Sequence, residues 1–391
     1  MIALQDIVVG ANAERSRGHN RRMVLGRMRK AGQIGRADAA RASGLSTQAV
    51  SNIIAELLEE GLIVEKGRRT VGRGLPALQY SLNPSGGYAV GFEIRPDAAF
   101  VALLDLSGKS VASGRRPLDA MNEANVRQAV LEMHDEMLSA SDVSEDRLMG
   151  AGVVMPGPFG ATGISGSGLV VQFWGGEPPG NWFSELLNIP VLVENDANAA
   201  AIAERISGVA RGLDSYAFLY FGNGLGLGAV HNGHLVTGAF GNAGEIGHIP
   251  VPSNGETVIL ESAVSRLSVQ RALGEVGVQV SSVEQLELLY CERHPVLMDW
   301  LDAAVAPLSA AITIVENFID PQAVIVGGAM PDCILDYFVD AAQLSDISVA
   351  NRTDRAQPRL LRGASGRMTA TLGAAALVIN QAFTPKIAVQ A

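Results

Sequence analysis

The sequence predicts an α/β protein with two parts, a winged helix-turn-helix head over residues 20–82 and a larger α/β body over residues 87–391. Two observations lead to this prediction. In the head, two short helical segments joined by a glycine-containing turn precede a strand, a Gly/Arg-rich turn and a second strand. In the body, a pattern of strand, glycine-rich turn and strand occurs twice, which indicates an internal duplication of one α/β unit. Residues 1–19 are expected to form an N-terminal extension.

The composition is that of a globular protein with more than one domain. The 391 residues are 48% hydrophobic and 18% charged, which argues against extended disorder. No run approaches the roughly 18 consecutive apolar residues of a membrane span, and the N-terminus lacks the pattern of a signal peptide. We therefore expect a cytoplasmic protein without membrane contact. Cys291 and Cys333 are too few for a disulfide framework or a multi-thiolate zinc site.

Charge is distributed unevenly along the chain. Residues 1–80 contain 13 Lys and Arg against 7 Asp and Glu, whereas the remaining residues contain 17 against 33. A basic head on an acidic body indicates that only the head meets a polyanion.

The head is predicted to contain three helices. The first runs from Asn20 to about Ala31, where apolar residues and arginines fall on opposite sides. A short helix from Arg36 to Ala42 follows, then a turn at residues 43–45 and a longer helix beginning at Ser46, a favourable N-cap. The buried stripe of the longer helix consists of Val50, Ile53, Ile54, Leu57 and Leu58.

The longer helix and the hairpin after it supply the candidate DNA contacts. Small polar residues on the outward face of such a helix reach base edges and phosphates in a major groove. Arginines beside glycines in the hairpin turn can enter a minor groove or pair with phosphates. The alternative is a head that mediates only dimerisation, with its arginines on a solvated edge. The candidate residues are Ser46, Thr47, Gln48, Ser51, Asn52, Arg68, Arg69 and Arg73.

Polar residues in the body are arranged as a sugar site would require. The stretch "IPVLVENDANAAAIAE" reads as a strand followed by a helix, so Asn195 and Asp196 lie where open α/β sheets place ligands. Glu245 and His248 lie in "GNAGEIGHI", whose glycines predict a tight loop. A site that binds a sugar needs carboxylates, amides and imidazoles that converge on one pocket, because sugar hydroxyls both donate and accept hydrogen bonds. Taken singly, each of these residues is more often a solvated or structural group.

The chain resembles the ROK family of repressors, open reading frames and sugar kinases over nearly everything after about residue 20. This resemblance implies an actin-like, hexokinase-like body of two lobes, the second beginning near residues 195–220. The head is similar to that of the repressor branch. The motifs are "VENDANAAA" (193–201), "FGNGLGLGAVHNGHLVTGAFGNAGEIGHI" (221–249), "LESAVS" (260–265), "NFIDPQAVIVGGAM" (317–330) and "LGAAALVIN" (372–380).

The resemblance also implies roles for individual residues. It carries sugar-hydroxyl contacts onto Asn195, Asp196, Glu245 and His248 and, through "LESAVS", onto Glu261. Trp174 matches a family aromatic residue near the sugar loop, and both stacking on a sugar and core packing stay open for it.

Two features of the family are missing from the sequence. Kinases of the family carry an Asp-x-Gly-Gly-Thr turn whose backbone N–H groups bind phosphate, but residues 93–97 read Glu-Ile-Arg-Pro-Asp. We therefore expect that the protein does not bind ATP, and that Asp196 accepts a hydrogen bond from a sugar hydroxyl instead of acting as a catalytic base. In the family a cysteine-rich zinc-binding segment typically follows the histidine that corresponds to His248. This sequence lacks that segment, so no metal is expected. The glycines of "GNGLGLG" and "VIVGGAM" are compatible with tight turns as well as with nucleotide binding.

These observations predict a transcriptional regulator, and a repressor in particular, which binds double-stranded operator DNA. A sugar or sugar derivative would control it without being phosphorylated. Palindromic operators and the family resemblance imply a homodimer or a dimer of dimers. Two alternatives stay open: an ATP-dependent sugar kinase that retains a DNA-binding head, and a regulator that responds to a partner protein.

Overall fold

The structure is a computed structural model that describes residues 13–69, 76–95, 98–155, 157, 159, 179–253 and 255–385. The chain forms two compact units. The first holds the described residues of Met1–Tyr88, Asp105–Ser107 and Ile379–Ala391, and the second holds those of Ala89–Leu104 and Gly108–Val378. The segments around residue 106 and after residue 378 thus group with the head, whereas the sequence assigned all of residues 87–391 to the body.

The first unit is a winged helix-turn-helix. Ser46 caps the third helix by accepting a hydrogen bond from the Ala49 amide at 3.2 Å, and Gly44 forms the preceding turn with a φ of 70°. The three strands form one sheet in the order β1-β3-β2, with both pairings antiparallel. The elements are α1 Ala13–Ala31, β1 Ile34–Gly35, α2 Arg36–Ser43, α3 Thr47–Glu59, β2 Ile63–Arg69 and β3 Ala77–Leu82.

Helix α1 begins at Ala13 and is therefore longer than the sequence suggested. The residues added at its start include Arg17, which lies 2.6 Å from Glu56 near the end of α3. Arg21, one turn further on, pairs with Glu60. Such long-range pairs are not visible in a local pattern. Part of the predicted extension of residues 1–19 is therefore helical.

The second unit contains two five-stranded sheets with the same topology. The strand order is β6-β5-β4-β7-β8 in the first and β11-β10-β9-β14-β15 in the second. Counted along the chain within each five-stranded sheet, both orders are third, second, first, fourth, fifth, as the predicted duplication requires. The first half contains β4 Tyr88–Arg95, β5 Ala98–Asp105, β6 Ser110–Pro117, α4 Glu123–Ser141, β7 Leu148–Val154, α5 Pro179–Leu187, β8 Val191–Glu194 and α6 Asp196–Ser207.

The second half adds a hairpin and a layer of helices to the same plan. Its strands are β9 Tyr216–Phe221, β10 Leu225–His231, β11 His234–Leu235, β12 Pro250–Ser253, β13 Glu256–Ile259, β14 Val324–Gly328 and β15 Leu360–Ser365. Its helices are α7 Leu260–Ala263, α8 Arg266–Glu275, α9 Val283–Cys291, α10 Pro295–Ile319, α11 Asp332–Ala341 and α12 Thr369–Phe383.

Helix α10 is long and apolar enough to cross a membrane by length and composition, but 56% of its most apolar window is buried inside the protein. Leu301, Leu308 and Ile312 on this helix are completely buried in the core of the second half. We therefore interpret α10 as a core helix.

The small residues of the closing motif allow α12 to pack directly on its neighbours. A Cβ atom at Gly152 of β7 would lie 1.8 Å from the carbonyl oxygen of Ala374, and one at Gly373 would lie 2.1 Å from that of Ala199 in α6. Side chains at these two positions would push the elements apart. The last residues of α12 belong to the first unit, where the guanidinium of Arg29 lies 5.0 Å from the ring centre of Phe383.

Candidate functional site

Asn195 and Asp196 lie at the junction between β8 and α6. Asn195 is the N-cap of α6, and its side-chain oxygen accepts a hydrogen bond from the Asn198 amide at 2.8 Å. Only 7% of Asn195 is exposed. Asp196 is half-buried, and one carboxylate oxygen accepts a hydrogen bond from the Ala197 amide at 2.9 Å. The Asn residue therefore shapes the helix start, while Asp196 is left with a second oxygen for other contacts.

The free side of Asp196 faces the glycine-rich turn between β9 and β10. A Cβ atom at Gly222 would lie 3.2 Å from Oδ2 of Asp196, and one at Gly224 would lie 2.6 Å from Oε2 of Glu261. A side chain at either position would crowd a carboxylate, so the glycines allow the turn to pack directly against Asp196 and Glu261.

The surroundings of Asp196 disfavour its ionised form. Burial, and then the negative charge of Glu93, raise the pKa of Asp196 to about 6, although the Ala197 amide and Arg95 act in the opposite direction. Glu93 is 4% exposed and accepts hydrogen bonds from Arg95 Nε at 2.6 Å and from the Thr371 hydroxyl at 2.7 Å. A perturbed carboxylate in a cleft is a frequent property of functional sites.

Glu245, His248 and Glu261 form a second group. His248 Nε2 lies 3.8 Å from Glu245, and its Nδ1 lies 3.9 Å from Glu261. These distances exceed a hydrogen bond, so the three groups can take other partners. Each side chain is about one third exposed, at 32–35%. Burial raises the pKa of Glu245, His248 lowers it, and Glu261 raises it.

The backbone explains how residues far apart in sequence meet here. Gly244 has a φ of 97°, and a Cβ atom there would lie 2.0 Å from the Leu227 carbonyl oxygen, so Glu245 follows a turn that requires glycine. The β12–β13 hairpin then closes with a 3.0 Å hydrogen bond from the Leu260 amide to the Ile249 carbonyl. This closure brings Glu261 back to His248 without cysteines.

Gly157 connects the two groups. A Cβ atom at this position would lie 3.4 Å from Oε1 of Glu245 and 3.8 Å from Cβ of Asn195. Contacts through Gly157 and the 222–224 turn therefore join all five residues for which the sequence suggested sugar contacts. We call this set the carboxylate cleft: Asn195, Asp196, Glu245, His248 and Glu261. Trp174 lies outside the described residues.

Arg95 lies in the segment 93–97, which the sequence aligned with the phosphate turn of the family's kinases. Arg95 donates from Nε to Glu93 and from Nη2 to the carbonyl oxygen of Arg367 at 2.9 Å, and its guanidinium lies 4.5 Å from the ring centre of Phe100. Pro96 and Asp97 lie outside the described residues. The sequence showed that the phosphate turn is replaced here, but it did not indicate the link from Arg95 through Glu93 to Asp196, which depends on tertiary structure.

The Gly-Gly pair of "VIVGGAM" is explained by packing. A Cβ atom at Gly327 would lie 2.5 Å from the Ala364 carbonyl oxygen. Gly328 has a φ of 115°, and a Cβ atom there would lie 2.5 Å from the Phe221 carbonyl oxygen. These glycines allow the central strands to approach one another, so their presence does not require a nucleotide.

The first unit presents the polar face that the sequence suggested for α3. Thr47, Gln48 and Asn52 are exposed, and Ser51 is half-buried. Gln48 donates a 2.9 Å hydrogen bond to the side chain of Asn52. The first turn of α3 contains no acidic residue, which favours approach to phosphates at this helix N-terminus. Ser46 Oγ accepts the Ala49 amide as the N-cap, and its O–H hydrogen remains available to donate to a phosphate.

The end of β2 forms the described part of the basic wing. Arg68 and Arg69 are exposed and pair in register with Leu78 and Ala77. Arg73 lies outside the described residues. Glu56 and Glu60 at the end of α3 pair with arginines of α1, and within the described part of the chain Arg68 and Arg69 form no ion pair.

Comparison with known proteins gives a consistent result. The ROK family matches residues 89–381. The xylose repressor of Bacillus subtilis is 28% identical over 244 residues, which are 60% of this chain and 61% of that protein. A glucokinase of Halalkalibacterium halodurans is 30% identical over 266 residues, 62% of this chain and 80% of that protein.

A solved ROK family transcriptional regulator, described as a homologue of the Escherichia coli MLC protein, superposes with a TM-score of 0.73 at 23% identity. The superposition covers 95% of this chain and 98% of that chain, so it includes the head as well as the body. At this identity the likeness establishes the fold. Because the family match spans most of the chain, the protein belongs to the ROK family.

Proposed function

We propose that this protein is a DNA-binding transcriptional repressor that is controlled by a sugar bound in the carboxylate cleft. The observation that carries the proposal is the presence, in one chain, of a winged helix with an exposed polar face and a cleft of converging carboxylates. The similarity to a xylose repressor supports this reading. Ser46, Thr47, Gln48, Ser51, Asn52, Arg68, Arg69 and Arg73 form the proposed DNA surface.

We further propose that the sugar is bound without being phosphorylated. Phosphoryl transfer depends on positioning and on charge stabilisation around a nucleotide. Two observations support the proposal: the sequence has Arg95 where the aligned turn of the kinases has glycine, and packing accounts for Gly327 and Gly328. The similarity to a glucokinase gives the alternative, a sugar kinase. A coupled phosphotransfer assay that detected ATP-dependent turnover, abolished by Asp196→Asn, would establish that alternative.

The other parts of the proposal follow from the same architecture. We propose that no zinc is bound after His248, because the segment contains no cysteine and closes through the β12–β13 hairpin. A two-fold homodimer, or a dimer of two such dimers, would match the symmetry of a palindromic operator. The site of action is the cytoplasm, where operator DNA is found.

Helix α12 offers a route for coupling between sugar and DNA. Near its start, Thr371 binds Glu93, the carboxylate that influences Asp196. At its end, Phe383 packs in the first unit with Arg29. Sugar binding that shifts α12 would alter the head and lower operator affinity by a coupling free energy of about 1–3 kcal/mol.

The test is a fluorescence anisotropy titration of a labelled DNA fragment from upstream of the protein's own coding region. Salt concentration is fixed, because affinity for DNA depends on it. Xylose, glucose and N-acetylglucosamine, with their phosphates, are added in turn. We expect one of them to weaken DNA binding in the wild type and to have no effect on Asp196→Ala. An exposed control, Asp119→Ala, keeps the response. DNA affinity that no sugar changes would contradict the proposal.

A further inference from the structure

The N-terminal half of helix α3 carries only neutral side chains. Residues 47–54 read Thr-Gln-Ala-Val-Ser-Asn-Ile-Ile, without lysine, arginine, aspartate or glutamate. Val50 and the two isoleucines are buried in the head, whereas Gln48 and Asn52 are exposed. When this half of α3 enters a major groove, the long polar side chains that it presents to the bases are therefore two amides.

Gln48 and Asn52 form a pair on the surface of α3. They are four positions apart, so they lie one above the other on the helix, and Nε2 of Gln48 donates a 2.9 Å hydrogen bond to Oδ1 of Asn52. After this bond, Gln48 keeps its side-chain oxygen as an acceptor, and Asn52 keeps both of its N–H groups as donors. We call these two residues the amide pair, and it presents an acceptor beside a donor.

This arrangement is complementary to one base. In the major groove, adenine presents the acceptor N7 beside the donor N6, and asparagine or glutamine binds both. Guanine presents two acceptors, which arginine or lysine contacts, and cytosine presents a donor, which a carboxylate contacts. Residues 47–54 contain none of the side chains that guanine or cytosine prefers.

The alternative is that the amide pair only stabilises α3, as side-chain pairs of this spacing do in isolated helices. The chain contains a pair of that kind in the second unit, where Gln128 of α4 donates a 2.9 Å hydrogen bond to Glu132. The amide pair differs in its surroundings. It lies just after the cap of a helix whose first turn has no acidic residue, and basic residues outnumber acidic ones in residues 1–80.

We propose that the amide pair reads an adenine in each half-site of the operator. The side-chain oxygen of Gln48 accepts from the N6 amino group, and an N–H group of Asn52 donates to N7. Contacts of the wing arginines with phosphate supply affinity without sequence information, whereas contacts with base edges specify the sequence. This inference rests on the proposed function and names the base that the head recognises.

The experiment selects bound molecules from random-sequence DNA duplexes with the full chain at fixed salt, and then measures the selected duplex by fluorescence anisotropy. We expect one invariant adenine in each half-site. Its replacement by 7-deazaadenine, which lacks N7, or by purine, which lacks the N6 amino group, should weaken binding of the wild type about tenfold. The first replacement should have little effect on Asn52→Ala, and the second should have little effect on Gln48→Ala.

A gain of preference and two controls make the test specific. Asn52→Arg should change the preferred base at this position from adenine to guanine, because arginine offers two donors. The alanine variants should keep the salt dependence of the wild type, since a neutral amide releases no counterion. Gln128→Ala removes the matched pair on α4 and should bind DNA as the wild type does. Circular dichroism shows that each variant is folded.

The outcomes separate this inference from the proposed function. If the selected half-sites keep every base preference in Gln48→Ala and Asn52→Ala, the inference is overturned and the proposed function stands. Equal weakening of all duplexes by the alanine variants also overturns it, because the pair would then only stabilise α3. If selection enriches no sequence, both proposals fail.

Discussion

Replacing Asp196 with asparagine should stabilise the folded protein, and the gain should depend on pH. The pKa of Asp196 is about 6 in the folded chain against an ordinary 3.8, because of burial and Glu93. Below the ordinary pKa of 3.8, Asp196 is protonated in both the folded and the unfolded chain, so it does not lower the free energy of unfolding. As pH rises from about 4 to 6, the unfolded chain ionises more readily than the folded chain, and the free energy of unfolding falls. Above about pH 6 this loss of stability is constant. Asparagine keeps an acceptor for the Ala197 amide but carries no charge.

The magnitude follows from the same pKa. A pKa difference of one unit corresponds to about 1.4 kcal/mol. The ionised Asp196 therefore lowers the free energy of unfolding by about 3 kcal/mol at pH 8 and by about half of that at pH 5. Urea unfolding followed by circular dichroism measures the difference. With a urea dependence of roughly 3 kcal/mol per molar, the midpoint of Asp196→Asn should rise by about 1 M at pH 8.

The control for this prediction is Asp119→Asn at an exposed position of the same unit, which should leave the midpoint unchanged at both pH values. The stabilised variant should also lose sugar binding, since a site kept for function is often costly to stability. The reasoning is refuted if Asp196→Asn and the wild type show the same stability at pH 8, or if the gain is larger at pH 5 than at pH 8.

Three further outcomes are expected. Ser46→Ala should destabilise the head by about 1 kcal/mol, measured by thermal unfolding, because the cap on the Ala49 amide is lost; Ser46→Asp should restore it. Arg69→Gln should weaken binding to all DNA sequences alike and reduce the salt dependence of affinity by about one phosphate contact, and an unchanged salt slope would contradict the wing assignment. Gly244→Ala should lower the unfolding midpoint and weaken sugar binding, because its φ of 97° and the nearby Leu227 carbonyl exclude a Cβ atom; retention of both would show that the Glu245 turn is adaptable.

Local signals in the sequence were sufficient for much of the fold. The Ser46 cap, the Gly44 turn and the apolar stripe of α3 are each encoded within a few residues, and the structure contains all three, although Leu58 of the predicted stripe is only half-buried. The repeated strand and glycine-turn pattern likewise predicted two halves, and the two sheets share one strand order. The start of α1 was placed too late because Arg17 finds its partner, Glu56, 39 residues away.

The carboxylate cleft shows where local signals end. The sequence by itself supplied Asn195 and Asp196 after a strand and Glu245 and His248 between glycines, and the family resemblance gave them a common purpose. Tertiary structure decided which groups act on them. Glu93 reaches Asp196 only because the chain folds, and Arg266 meets the glycine turn 43 residues before it. Charge and burial act through space, so the pKa of Asp196 is a property of the fold, whereas the residue types that make it possible are written in the sequence.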